Sequence, residues 1–233
     1  MDMEPIPRAV DVTRPAGIAS ALARMEARRL GHQYLGPEHL LAGLLAEGDN
    51  LAARVLVADG LDLDTVRAGI DRLVAQGVLP GPQPADEELL ASLGVDLGVV
   101  HTRLQETFGE NAYWDTAQRV RHRAAHPVPH PPQVRTDPSP LVCPRAMGFA
   151  AWAAIDRDQE IGPEHLLLGL LREAEEPLGT DLPVESRRER ALLGLPVDGP
   201  QPLRRLVEAE GRTLEDLREA LLEAMDGPAD RPP

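Results

Sequence analysis

GPEHLLAGLLAE, from Gly36 to Glu47, returns as GPEHLLLGLLRE, from Gly162 to Glu173. Ten of the twelve positions are identical at a constant offset of 126. Chance does not give such a match, so the chain contains an internal repeat. In each copy Pro stands in the first helical turn, where its missing N–H costs nothing. Glu38 and Glu164 follow, in the turn where the helix macrodipole favours a carboxylate.

A second motif recurs around these two. Gly60-Leu61-Asp62-Leu63, Gly94-Val95-Asp96-Leu97 and Gly211-Arg212-Thr213-Leu214 each read as a helix stop at Gly, a short turn, and a new helix. The Leu three residues after the Gly is expected to plug the helix junction. Apolar spacing places helices at Ala16–Leu30, with Ile18, Leu22, Met25 and Leu30 on one face, and at Pro37–Ala46, Leu51–Ala58 and Asp64–Gln76. Asp62 or Asp64 caps the last of these. Further helices are expected at Asp86–Ser92, Gly98–Thr107, Ala112–Ala125, Arg145–Ala154, Pro163–Arg172, Leu203–Glu210 and Leu214–Met225. No run of alternating β-branched residues interrupts them, and the class is all-α.

Composition sets the exclusions. The 233 residues include 38 acidic and 24 basic side chains, for a net charge of −14. That balance argues against a nucleic-acid partner, which needs a basic face, and against docking on an anionic membrane. Every basic residue is Arg, so Lys-dependent chemistry is excluded. One cysteine, Cys143, permits neither an intramolecular disulfide nor a cysteine-built zinc site. The acidic N-terminus is no signal peptide and no apolar run is long enough to span a bilayer, so a cytoplasmic setting is expected. Prolines crowd residues 126–140, an extended linker.

Leu30 to Leu45 reads L-G-H-x-Y-L-G-P-E-H-L-L-x-G-L-L. This pattern resembles the Clp N-terminal (Clp R) repeat, which fronts Clp-type protein-unfolding ATPases and is built from two pseudo-symmetric four-helix repeats. The resemblance implies a first repeat at 13–76 and a second at 141–226 carrying an insertion at 175–202. An inserted helical segment at 84–125 and the linker at 126–140 separate them. In the second repeat the G-H-x-Y stretch becomes Arg157-Asp158-Gln159-Glu160. Two registers stay open for its first helix, one starting at Ser139-Pro140 and one at Pro144-Arg145-Ala146. With no Lys there is no G-x-x-x-x-G-K-[ST] nucleotide loop, and no protease signature appears either, so no enzyme and no cofactor are expected.

The resemblance also implies a site. In ClpC-type N-domains the Glu of a G-T-E-H motif helps bind phosphorylated arginine, and a carboxylate suits a guanidinium fork. By this analogy Thr13, Glu38 and Glu164 are the candidate ligand-binding residues, Glu164 being the pseudo-symmetric counterpart of Glu38. Here both motifs read G-P-E-H, so the Thr hydroxyl and one N–H are gone, and Ser139 or Cys143 stands where the second repeat needs a Thr. His39 and His165 are expected to pack the repeat interface, and His32 and Tyr34 to order the preceding loop. His122, His126 and His130 lie among prolines and form no metal site. Tyr113, Trp114, Arg119, Arg121 and Arg123 make the one basic, aromatic patch. The expected function is a non-enzymatic binding module whose partners are proteins or substrates of the Clp system, including a Clp ATPase, and which acts as adaptor, competitor or decoy. The other reading is an interaction scaffold that has lost Clp-type recognition.

Overall fold

The computed structural model of the chain describes residues 10–82, 143–179 and 182–227. The chain divides into two units, Met1–Pro82 with Pro138–Pro233, and Gln83–Asp137, and every described residue belongs to the first. The helices expected between Asp86 and Ala125, the motif copy at Gly94, the linker at 126–140, the three spaced histidines and the basic aromatic patch lie outside the described residues.

Nine helices are described: α1 (Arg14–Arg29), α2 (Pro37–Glu47), α3 (Leu51–Ala58), α4 (Leu63–Ala75), α5 (Pro144–Ile155), α6 (Pro163–Glu175), α7 (Val184–Leu192), α8 (Pro202–Ala209) and α9 (Leu214–Asp226). Among the described residues there is no strand, only isolated bridges pairing Val12 with Ile161 and Leu178 with Gly199. The class is all-α, as the periodicity implies. Helices α1 to α4 form one set; α5, α6, α8 and α9 repeat it, and α7 is extra. α2 and α6 are apolar almost all round and bury nearly every residue, the pattern of a helix inside a core. α1 packs on α2, α5 packs on α6, and α2 meets α6. The outer helices cross over, α3 against α9 and α4 against α8, so the two sets interlock.

The contact within each pair is set by glycine. A Cβ at Gly43 would lie 2.3 Å from the Ala19 carbonyl oxygen, and one at Gly169 would lie 2.1 Å from that of Ala146. Backbone therefore meets backbone where α1 crosses α2 and where α5 crosses α6. This corrects the expected face of α1. Its buried stripe is Ala16, Ala19, Ala23 and Ala27, because only small residues admit so close a neighbour, while Ile18 and Met25 stand 41% and 61% exposed.

The same geometry decides the open register for the Pro144 start. Ala146 stands to Gly169 as Ala19 stands to Gly43, an offset of 127 rather than 126. The second repeat's first helix thus starts at Pro144, one turn later than α1, and Cys143 falls where Ala16 does. Its left-handed stop is Asp158, matching Gly31, so its connecting loop is one residue shorter and Gln159, not Asp158, takes the place of His32. Asp62 caps α4 by accepting from Thr65 N at 2.8 Å, and Thr213 caps α9 through Asp216 N at 3.0 Å. Leu214 plugs its junction as expected, but in the first repeat Leu61 is the buried plug and Leu63 is half-buried. α7 escapes the sequence reading because VESRRERAL is mostly charged and carries no apolar stripe.

Gly43→Ala and Gly169→Ala are expected to lower stability by about 1–3 kcal/mol each, since backbone must give way. Gly17→Ala, whose Cβ meets nothing within 4 Å, is expected to raise it by about 0.5–1 kcal/mol. Urea unfolding midpoints of the three variants check both signs.

Candidate functional site

Each G-P-E-H start is a small folded device. Gly36 and Gly162 are N-caps with ordinary extended backbone, φ −100° and −91°. Glycine is needed there for space, not for φ. A Cβ at Gly36 would lie 2.3 Å from Glu38 Oε1, and one at Gly162 would lie 1.9 Å from Glu164 Oε1. The carboxylate folds back over the cap and takes its own backbone N–H. A histidine three residues on bonds back to each cap. Gly36 N donates to His39 Nδ1 at 3.0 Å, and Gly162 N donates to His165 Nδ1 at 3.0 Å. This is the N3-to-cap half of a capping box, with imidazole in place of the usual Glu or Gln. The signal was present in the sequence as His three residues after the cap.

The two sites then diverge. In the first repeat His39 Nε2 meets His32 Nδ1 at 2.9 Å, and Tyr34 stacks on His32 with ring centroids 5.2 Å apart. With Nδ1 accepting from Gly36, His39 carries its proton on Nε2 and donates it to His32. Burial pushes both imidazoles down to about 4. Glu38 is 1% exposed, its Oε1 has no hydrogen-bond partner among the described residues, and burial pushes its carboxyl up. In the second repeat Gln159 replaces His32, and His165 Nε2 is buried without a partner among the described residues. Glu164 remains a quarter exposed. Burial pushes its carboxyl up, but its own backbone N–H outweighs that and holds it below the usual range.

Thr13 does not join Glu38. Its hydroxyl donates to Ile161 O at 3.3 Å and accepts from Ala16 N at 3.4 Å, while Thr13 N donates to Ile161 O at 3.0 Å. The start of α1 is thereby stitched to the segment entering α6, beside Glu164. Cys143, at the start of α5, is buried, and burial pushes its thiol up. The start of the first repeat's first helix is thus bound to the opposite repeat, which an alignment of one repeat on the other does not reveal. Glu164 lines an open cavity of about 320 Å³ with Leu51, Arg157, Gln159, Met225 and Asp226. Tyr34, Cys143, Glu173 and Arg190 are, like Glu38, buried. Glu173 caps α5 by accepting from Ala146 N at 3.1 Å, and burial pushes its carboxyl up to about 7. Among the described residues no cluster of His, Cys, Asp and Glu is placed to hold a metal ion.

Residues 12–87 match the model of the Clp repeat (R) N-terminal domain. A ClpA homolog of Clp protease, chloroplastic, from Brassica napus is 39% identical over 90 residues, which cover 39% of this chain and 9% of that protein. A probable ATP-dependent Clp protease ATP-binding subunit from Chlamydia pneumoniae is 50% identical over 56 residues, or 24% of this chain and 7% of that protein. The chain thus spans less than a tenth of the length of either relative. The crystal structure of the N-terminal domain of the chaperone ClpD from Arabidopsis thaliana aligns with a TM-score of 0.49 at 16% identity, covering 93% of this chain and 95% of that one.

The buried groups pull pH dependence in opposite directions. Between pH 6.5 and 4 the unfolded chain protonates His32 and His39 while the fold keeps them neutral, so their contribution to stability falls as pH falls. Glu173 and Glu38, raised in the fold, hold protons that the unfolded chain releases above its ordinary value near 4.5, so their contribution falls as pH rises. Glu173→Gln removes one opposing group. Its stability is expected to climb from pH 5 to 6.5 more steeply than the wild type, by about 1 kcal/mol per pH unit, as read from urea midpoints at the two values.

Proposed function

We propose that this chain is a non-enzymatic protein-binding module of a Clp-type unfolding and proteolysis system, reading an arginine-derived side chain at Glu164 and serving as substrate-recognition adaptor, competitor or decoy. The observation that carries this reading is the placement of Glu164: a carboxylate at the edge of an open cavity, folded back over Gly162 and onto its own backbone N–H. A planar guanidinium pairs with such a carboxylate through two donors. Asp226 adds a second negative charge, and Leu51 and Met225 offer apolar surface to the methylene stem. Thr13 supports the site from the side by fixing Ile161.

For a phosphorylated arginine the anion needs its own donors. The helix start does not supply them: Gly162 N–H is bound to His165, Pro163 has none, and Glu164 N–H faces its own carboxylate. Arg157, paired only loosely with Asp226 at 3.8 Å, is the cation on that wall. Phosphate recognition therefore falls to a side chain where the G-T-E-H pattern would use the hydroxyl and N–H.

Calorimetric titration with phosphoarginine and with arginine tests the reading. The wild type is expected to bind one equivalent. Glu164→Gln is expected to weaken binding about tenfold to a hundredfold, the worth of a hydrogen-bonded charge, and Arg157→Gln to weaken phosphoarginine more than arginine. Glu38→Gln leaves the titration unchanged. Absence of binding by the wild type to either compound leaves the scaffold reading, in which the repeats present a surface to a protein partner without a ligand pocket.

A further inference from the structure

α1 presents two different faces. One is the alanine stripe that lies on α2. The other is set by Arg14, Ile18, Ala21, Met25 and Arg28, and all five are exposed. They follow one another at steps of four, three, four and three residues. Such steps keep side chains in line along a helix and form the seam by which one helix packs on another. The centre of this seam is apolar. Ile18 and Met25 are large and exposed, and Ala21 between them is small enough to admit a close neighbour.

The two ends of the seam are arginines, about 21 Å apart along the helix. Arg28 lies in the last turn, where the helix macrodipole favours a cation. Arg14 lies in the first turn, where the same dipole opposes one, and no acidic residue accompanies it there. Neither arginine is paired with a carboxylate among the described residues. Arg14 therefore serves neither its own helix nor an acidic neighbour among them. The one acidic residue of α1, Glu26, is buried and held by Arg29 and Arg67, so it does not offset the two. α1 is thus a cationic helix in a chain of net charge −14. Exposed charges more than about 8–10 Å away are largely screened, so the local sign governs what docks on it. The seam is also particular to α1. At the offset of 127 the matching positions on α5 are Arg145, Gly148, Trp152 and Ile155, all half-buried, and Arg145 is paired with Glu176.

We infer that the outer face of α1 is a docking surface for an acidic amphipathic helix of another protein. That helix carries an apolar stripe with a carboxylate at each end, about 21 Å apart, to meet Ile18, Ala21 and Met25 at the centre and Arg14 and Arg28 at the ends. A second copy of this chain docked α1 on α1 does not fit, because parallel or antiparallel it sets arginine against arginine at both ends. The surface shares no residue with the Glu164 cavity, and it stands whether or not that cavity reads arginine.

The probe is a fluorescein-labelled helical peptide of about 18 residues, about 27 Å long, with Leu and Ala along one face and Glu at both ends of it. A second peptide carries Lys in place of each Glu. Anisotropy titration of the full chain is expected to show one site for the Glu peptide and at least tenfold weaker binding of the Lys peptide. Met25→Asp is expected to weaken the Glu peptide at least tenfold, and Arg14→Gln with Arg28→Gln at least fivefold. Glu164→Gln leaves it unchanged. These α1 positions are exposed, so both α1 variants keep the wild-type circular dichroism. No binding of the Glu peptide, binding that survives both α1 variants, or equal binding of the Lys peptide overturns the inference. A wild type that binds phosphatidylserine vesicles but not the peptide, and loses them with Met25→Asp, makes the face a membrane contact and overturns it too. So does a wild-type dimer, by light scattering, that Met25→Asp dissociates. Failure of arginine and phosphoarginine to bind, with the Glu peptide still bound, strikes the proposed function alone.

Discussion

The whole arrangement depends on two places where helix backbones touch. Gly43 sits on the carbonyl of Ala19 and Gly169 on that of Ala146, and no side chain can be interposed at either. This close crossing fixes how far α2 and α6 sink into the protein and hence how deeply their N-termini are set. Glu38, His39, Glu164 and His165 stand where they do because the helices carrying them are clamped one turn further on. Protein interiors are packed densely enough that a shift at such a crossing is felt along the helix.

From that common frame the two sites have been taken in different directions. The first is buried and cross-linked, with His39 donating to His32 beneath Tyr34. The second keeps a charged carboxylate at a cavity wall. The difference traces to a change in chain length, the one-residue shortening of the loop before α6, which replaces His32 by Gln159.

Much of this is legible in the sequence. The repeated GPEHLL segment gives the fold class and the repeat, and the Gly60 and Gly211 stops adopt the left-handed backbone their residue type favours. Helix ends from Leu51 to Ala58 and from Leu214 onward fall within a residue of expectation. Other features escape for definable reasons. An apolar face counts large side chains, so the alanine stripe of α1 is invisible to it, since closeness rather than hydrophobic area selects alanine there. The role of Gly36 and Gly162 is equally hidden, because φ is unremarkable and only the folded-back carboxylate reveals why a Cβ is excluded. Pairing of Thr13 with the Glu164 segment is a tertiary exchange between repeats, and no spacing within one repeat encodes it. α7 has no apolar pattern to read, since its residues are mostly charged.

The crossing of α3 onto α9 and α4 onto α8 has a consequence for how the chain finds this state. Neither repeat can complete its own surface until the other has been made, so the decisive contacts join residues far apart in sequence. The intervening residues enter the thermodynamics only through the logarithm of their number, each doubling costing about 0.6 kcal/mol. Contacts of such long separation do slow the search. The length between the repeats is therefore felt in the folding rate far more than in the stability of the finished protein, and a fold interlocked in this way is one in which long insertions between repeats are thermodynamically cheap.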